Sequence, residues 1–413
     1  MYRGLLLALA VLAGGCATSA PGVPDTAFED VRTMLRARAQ LLVEGDSDGY
    51  LAAAVEGARP VEEAIARGAA TVPLAFVNVT VTGKGVAERD ATEFRGAEVE
   101  VVYGYKEFPK DNRFRFSLVY DLEQRADAWR ITRSDPAPPN LGGAGGEPVL
   151  VPALLPVWAR FTVQATRSDH FLVLHPPGLA GAEKVTALAE QARARLAPRL
   201  RFGNADNSSL IIVARDTAEY TELLGRDQPE EALAVVSLLF VPLSPPEGRQ
   251  MTVNLERVLE TGERPAGHAG ELTPVSIFQH ELAHLALARV GSPVTPSWVE
   301  EGAAMYLAGE RRLDAWRDGI EEGWFEEISI AGFAEDESLA SGEEYAYTNA
   351  AVTYLIEEFG TEKFWDFYTR FQPVLGARIS DESPAAYLMG SVYDLKLPDL
   401  DRRARRWAAE EVD

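Results

Sequence analysis

The sequence predicts an α+β protein built in two parts. Three observations predict it. Helical periodicity followed by a run of alternating strands fills residues 27–133. A stretch rich in Pro, Gly, Ala and Asn, residues 134–148, then interrupts the pattern and reads as a linker. From 149 to 413 strands come first and helices after, the order of a small sheet lobe packed on a mostly helical lobe.

The chain opens on a segment that belongs to neither part. Met1-Tyr2-Arg3 is a short basic start, and Leu5 to Ala13 is apolar but too short to span a bilayer as a mature helix. Ala13, Gly14 and Gly15 then lead to Cys16, the layout of a secretion signal. Cys16 is the only cysteine, so no intrachain disulfide can form. The segment resembles a bacterial lipobox, with Ala13 where a leucine is usual. The resemblance implies a signal over residues 1–16, lipidation of Cys16 and a tether over 17–26. The body would then be extracytoplasmic and lipid-anchored to a bacterial cell membrane or outer membrane. Ordinary cleavage between Ala17 and Ala20 is the alternative.

A net charge of −23 argues against nucleic acid as a partner and would repel anionic lipid surfaces. Membrane attachment would therefore fall to the acyl chains.

Within 27–133, Val31, Leu35, Ala39 and Leu42 share one helical stripe. Asp46-Ser47-Asp48-Gly49 is a turn or cap before a second short helix through Val55. The period then changes to two. Leu74 to Val81, Ala97 to Tyr105, Arg113 to Leu122 and Trp129 to Thr132 read as strands. Helices first and antiparallel strands after suggest a curved sheet wrapped on helices. This order resembles the NTF2-like (cystatin-like cone) group, whose members serve as pockets or dimerisation modules; a scaffold or spacer without chemistry is the plainer alternative.

In 149–413, His170 to His175, Ser208 to Ala214 and Arg249 to Leu255 read as strands. Ala182 to Leu196 and Asp216 to Leu224 read as helices, with Asp216 a plausible N-cap. From Pro274 onward the chain is mostly helical.

The informative segment is Phe278-Gln279-His280-Glu281-Leu282-Ala283-His284, a His-Glu-x-x-His sequence. Two histidines four residues apart project from one helix face, where a single tetrahedral ion could take both. The glutamate between them lies where it could deprotonate a bound water. Thr273-Pro274 fits an N-cap with proline at the first helical position, Val275, Phe278, Leu282 and Leu285 form an apolar stripe, and Gly291 and Pro293 end the run. A catalytic zinc usually takes a third protein ligand. Glu300 and Glu301 are the candidates, in Thr295-Pro296-Ser297-Trp298-Val299-Glu300-Glu301-Gly302. Ser297 and Glu300 have capping-box spacing, which would occupy Glu300 and leave Glu301 for a metal.

His280-Glu281-x-x-His284 followed by Trp298-Val299-Glu300-Glu301-Gly302 resembles the gluzincin clan, specifically the peptidase MA-like group. A further shared feature is the helix Tyr345-Ala346-Tyr347-Thr348 through Tyr354-Leu355-Ile356 to Gly360. The resemblance covers roughly Ser168 to Tyr368 and implies a Zn(2+) cofactor held by His280, His284 and Glu301, with Glu281 as general base. It implies a tyrosine on the later helix as an oxyanion donor, Tyr345 aligning better than Tyr347. A carboxylate that some relatives carry four residues after the third ligand is absent, since Met305 stands there.

The reading that follows is zinc-dependent hydrolysis of peptide bonds in proteins or peptides at the cell envelope. The alternatives are a zinc-containing lipoprotein with a binding or assembly role and no cleavage, and amide hydrolysis on a cell-wall substrate. The strand from Arg249 could receive an extended peptide by strand addition. His268 reads as a loop residue, and His170 and His175, five apart on a strand, face opposite ways and make a poor metal pair.

Overall fold

The computed structural model describes residues 25–83, 86–87, 92–109, 112–137, 155–200, 209–224, 233–239, 247–261, 273–292, 294–332, 341–374 and 383–412. The signal, Cys16, His268 and Pro293 lie outside these. No described helix is long and apolar enough to cross a membrane. The protein is mixed α and β, with an antiparallel sheet and a helical region. It divides into two compact units: one runs to Ala165 and takes in Leu174–Gly178, the other comprises Thr166–Val173 and everything from Leu179.

The first unit opens on helices α1 (Asp25–Glu44), α2 (Ser47–Leu51) and α3 (Arg59–Ala69). Asp25 and Thr26, expected in the tether, already belong to α1. The stripe Val31, Leu35, Ala39 and Leu42 is buried, as its spacing requires. Strands β1 (Leu74–Gly83), β2 (Val86–Ala87), β3 (Glu93–Tyr105), β4 (Phe114–Arg125) and β5 (Ala128–Ala137) follow, and then a short helix α4 (Val157–Arg160). The sheet is antiparallel in the order β1-β3-β4-β5, with β2 beside β3. Alternate residues point inward, among them Val99, Val101 and Tyr103 on β3 and Phe116, Leu118 and Tyr120 on β4. A bulge in β3 between Phe94 and Ala97 bends it. Gly96 supplies the positive φ of 66° there, and its amide donates to the Asp121 carboxylate at 2.8 Å.

Two sequence expectations are corrected in this unit. Ser134 to Ala137 are strand, not linker, because β5 keeps its ladder with β4 as far as Ser117 opposite Ala137. Pro136 is tolerated because β5 is an edge strand. Nor does the second part begin at 149: Trp158 on α4 packs its ring against Tyr103 and Phe116 of the first unit. Helix α3 has no counterpart in the sequence reading. Its buried face carries Glu62 among Ile65, Ala66 and Ala69. Glu62 accepts from Arg38, from the Tyr50 hydroxyl and from the Ser134 hydroxyl, the last two at 2.6 Å. Arg38 also donates to the Tyr50 carbonyl at 2.6 Å. A buried carboxylate and guanidinium persist only when paired and fully hydrogen-bonded in this way.

The remaining elements are β6 (Gln164–Arg167), β7 (Phe171–His175), α5 (Ala182–Leu196), β8 (Ser209–Ala214), α6 (Thr217–Leu224), β9 (Ala234–Leu239), β10 (Glu247–Asn254), α7 (Leu255–Thr261), α8 (Pro274–Leu287), α9 (Ser297–Ala308), α10 (Leu313–Glu321), α11 (Gly342–Phe359), α12 (Thr361–Thr369), α13 (Phe371–Val374), α14 (Pro384–Tyr393) and α15 (Leu397–Val412). The second sheet has the order β6-β7-β8-β10-β9. Strand β10 runs parallel to β8 and antiparallel to β9, so it is interior, and β9 is an edge among the described strands. The strand expected to receive a peptide is therefore flanked on both sides.

Helices α8, α9 and α11 form the centre of the second unit, with Phe278, Trp298, Val299, Ala350 and Val352 in one apolar core. Gly302 brings α9 and α11 together: a Cβ there would lie 2.3 Å from Val352 Cγ2 and 2.7 Å from its Cβ. Asp401 on α15 ties three segments, accepting from the Tyr347 hydroxyl at 2.8 Å, the Ser329 hydroxyl at 2.7 Å and the Ile330 amide at 2.9 Å.

Candidate metal centre

The two histidines stand one turn apart on α8. Thr273 caps that helix, its hydroxyl accepting from the Ser276 amide at 3.1 Å, with Pro274 in the first turn. Phe278, Leu282 and Leu285 bury the opposite side. His280 Nε2 and His284 Nε2 are 3.0 Å apart.

The carboxylate comes from α9. Ser297 and Glu300 do not form the expected capping box. Pro296, extended at φ −63° and ψ 145°, is itself the N-cap, so Ser297 is already the first helical residue and makes no side-chain cap. Trp298 and Val299 are fully buried and fix the helix. Glu301 follows, and its Oε2 lies 3.1 Å from His280 Nε2 and 3.4 Å from His284 Nε2. His280, His284 and Glu301 are the one such group able to hold a metal ion among the described residues.

The donor set fits a tetrahedral ion. Metal bonds of about 2.0–2.1 Å to imidazole nitrogen and carboxylate oxygen put ligand atoms about 3.3–3.4 Å apart. The three separations here are 3.0, 3.1 and 3.4 Å.

Electrostatics agree with a site made to hold charge. Burial resists ionisation of Glu301, but His284 and His280 outweigh it and hold the carboxyl well below its usual range. Burial likewise opposes the His280 imidazolium, yet the Glu310 and Glu301 carboxylates raise it well above the ordinary value. His284 is raised in the same sense, Glu301 outweighing burial. For Glu281 burial wins, and its carboxyl is raised although both histidines pull the other way. Glu300 is pushed up to about 7, by burial and then by Glu301 against the pull of His284.

Glu310 was not legible as part of the site. It lies just beyond α9, whose end is a Schellman turn: Gly309 takes φ 77°, Glu310 N donates to Met305 O at 2.9 Å, and Gly309 N to Tyr306 O at 3.0 Å. The turn sends the chain back toward α8, and Glu310 Oε1 reaches His280 Nδ1 at 3.1 Å. Its Oε2 accepts from Arg312 at 3.1 Å. Asn349 of α11, fully buried, donates to the Glu310 carbonyl and accepts from the Arg312 amide, both at 3.2 Å. A glycine followed by an acid at a helix end was the available signal, but not its target.

Tyr345 and Tyr347 separate cleanly. Tyr347 is fully buried and spends its hydroxyl on Asp401. Tyr345 is half-buried, with Arg312 over its ring at 5.8 Å. Burial raises its hydroxyl pKa, and the Glu301 and Glu281 carboxylates raise it further. His170 Nδ1 pairs with Glu190 at 2.8 Å, and His175 Nδ1 bonds to the Pro176 carbonyl at 2.9 Å.

In comparison with known proteins, the chain matches no family model and no curated protein.

Proposed function

We propose that this chain is an extracytoplasmic, lipid-anchored zinc metallopeptidase of gluzincin type that hydrolyses peptide bonds in proteins or peptides at the cell envelope, with Glu281 as general base. One observation carries the reading: two imidazole nitrogens from α8 and one carboxylate oxygen from α9 converge, all within 4.8 Å of one another. His280, His284 and Glu301 would hold the zinc, which when bound supplies a Lewis acid and a water of near-neutral pKa. Glu281 sits on the same helix between the two histidines, close enough for both to act on its charge. Its carboxylate takes the proton from the attacking water and returns it to the leaving amine.

Tyr345 is the donor for the developing oxyanion. The commitment of Tyr347 to Asp401 supports that role by leaving Tyr345 as the candidate on this helix. The edge strand β9, not β10, offers its backbone to an extended peptide. The first unit, an antiparallel sheet packed on helices, serves as an NTF2-like spacer, with the Arg38–Glu62 pair buried within it.

The test is the zinc content of the purified chain together with digestion of casein and a peptide library. The wild type is expected to hold one zinc and to cleave, and Glu281→Gln to keep the zinc and lose cleavage. Cleavage that survives Glu281→Gln would remove the base. Failure of His284→Ala to reduce zinc content would remove the site, and stoichiometric zinc without cleavage by the wild type would favour the binding role.

A further inference from the structure

We propose that Glu310 is the positioning residue for His280, fixing its tautomer and ring orientation, and that Asn349 holds Glu310 in place. The inference rests on the metal-site reading above.

An imidazole that ligates through one nitrogen needs its other N–H held, or the ring rotates and the wrong nitrogen carries the proton. His280 turns Nε2 toward His284 and Glu301, so Nδ1 is the atom to be held. An ionised carboxylate can only accept, so Glu310 at 3.1 Å keeps a proton on Nδ1 and leaves the Nε2 lone pair for the cluster. The Glu310 carboxyl is only 4% exposed and is shared between His280 and Arg312, which keeps it from turning to solvent.

The support continues outward. Asn349 uses both ends of its amide on the backbone of residues 310 and 312. Gln279, next to His280 on α8, donates to the Ala308 carbonyl at 3.3 Å and holds the end of α9 against α8 from the other side. The buried side chain at position 305 is a methionine, so the helix α9 itself contributes no carboxylate one turn beyond Glu301. The turn at Gly309 brings one in from the following segment instead.

The experiment uses the full chain as wild type, Glu310→Ala, Glu310→Gln and Asn349→Ala. Zinc affinity is read by chelator competition. The His280 tautomer is read from the long-range proton–nitrogen spectrum, which five histidines leave simple to assign. Glu310→Ala is expected to weaken zinc binding about 10- to 100-fold and to shift or lose the His280 Nδ1 proton signal. Glu310→Gln, which keeps an oxygen acceptor, is expected to retain that signal and to recover part of the affinity. Asn349→Ala is expected to fall between Gln and Ala. Unchanged affinity and an unchanged Nδ1 signal in Glu310→Ala overturn the inference. So does an affinity loss with the Nδ1 signal intact, which is what a merely structural role would give. Circular dichroism checks folding, and the near-isosteric Gln variant carries the test where Ala does not fold. A wild type that takes up no zinc would sink the proposed function. Zinc uptake by the wild type with unchanged affinity in Glu310→Ala would sink this inference alone.

Discussion

Replacing Gly302 by alanine sets two opposing effects against each other, and the structure decides between them. In an ordinary exposed helix the change would stabilise by about 1 kcal/mol, because alanine loses less backbone entropy than glycine. Here the new Cβ would lie 2.3 Å from Val352 Cγ2, 2.7 Å from Val352 Cβ and 3.3 Å from Thr348 Cγ2. Carbon contacts rest at about 3.5–4.0 Å, so α9 and α11 must separate by about an ångström. Valine is branched at Cβ and has no flexible end to turn aside. Overpacking of this kind costs about 1–3 kcal/mol, and the rigidity of Val352 puts Gly302→Ala near the top of that range. The net expectation is a loss of about 2 kcal/mol, or roughly 4–8 °C in melting temperature for a unit of this size. Under the proposed function zinc affinity should fall with it, since Glu301 rides on the displaced turn. Val352→Gly alone should cost about 3–4 kcal/mol, from a lost buried valine and a helical glycine. The double variant moves the side chain across the interface and removes the clash, so its cost should undershoot the sum of the singles by about 3 kcal/mol, the overpacking cost itself. Urea unfolding of the four proteins measures this. A Gly302→Ala protein as stable as the parent, or single costs that simply add, would refute the close approach of the two helices.

Other expectations follow from the same geometry. Glu62→Leu leaves the Arg38 guanidinium buried without its carboxylate and should cost about 3–5 kcal/mol in the unfolding transition of the first unit. Asp401→Ala strands the Tyr347 and Ser329 hydroxyls and the Ile330 amide, and a denaturation midpoint should register a loss of about 2–3 kcal/mol. Burial resists the charge on Glu190, but hydrogen bonds from Ser168 and His170 outweigh it and lower its pKa. A carboxyl lowered on folding adds stability above its unfolded value, about 4.3, and loses it as pH falls through the folded value. Wild type and Glu190→Gln should therefore differ at neutral pH and converge in acid, and a constant offset across pH 2–7 would contradict the assignment.

How much of this was readable beforehand depends on how far each signal reaches along the chain. Helix α5 occupies the Ala182–Leu196 that its periodicity indicates, and α8 begins where Thr273-Pro274 says it should. Both are local patterns. Helix α3 escaped notice because Glu62 interrupts its apolar face, and the partners that make a buried glutamate tolerable come from α1, α2 and β5. The Ser297–Glu300 spacing suggested a capping box, but the neighbouring Pro296 took the N-cap position first. Strand β10 alternates like an edge strand, and only the pairing with β8 and β9 shows it to be interior. His280 and His284 could be paired from their helical spacing alone. Glu310 could not, since its approach to His280 depends on the turn at Gly309 and on Asn349, thirty-nine residues further on.

The anchoring of Tyr347, Ser329 and Ile330 by Asp401 has a consequence for timing. Ribosomes add about 5–20 residues per second, so residues 280–310 precede Asp401 by roughly 5–20 s. Throughout that interval α11, which carries both Tyr345 and Asn349, lacks the tie from Tyr347 to α15. A nascent chain thus carries the proposed ligands His280, His284 and Glu301 before the tie from Tyr347 to its last helix can form.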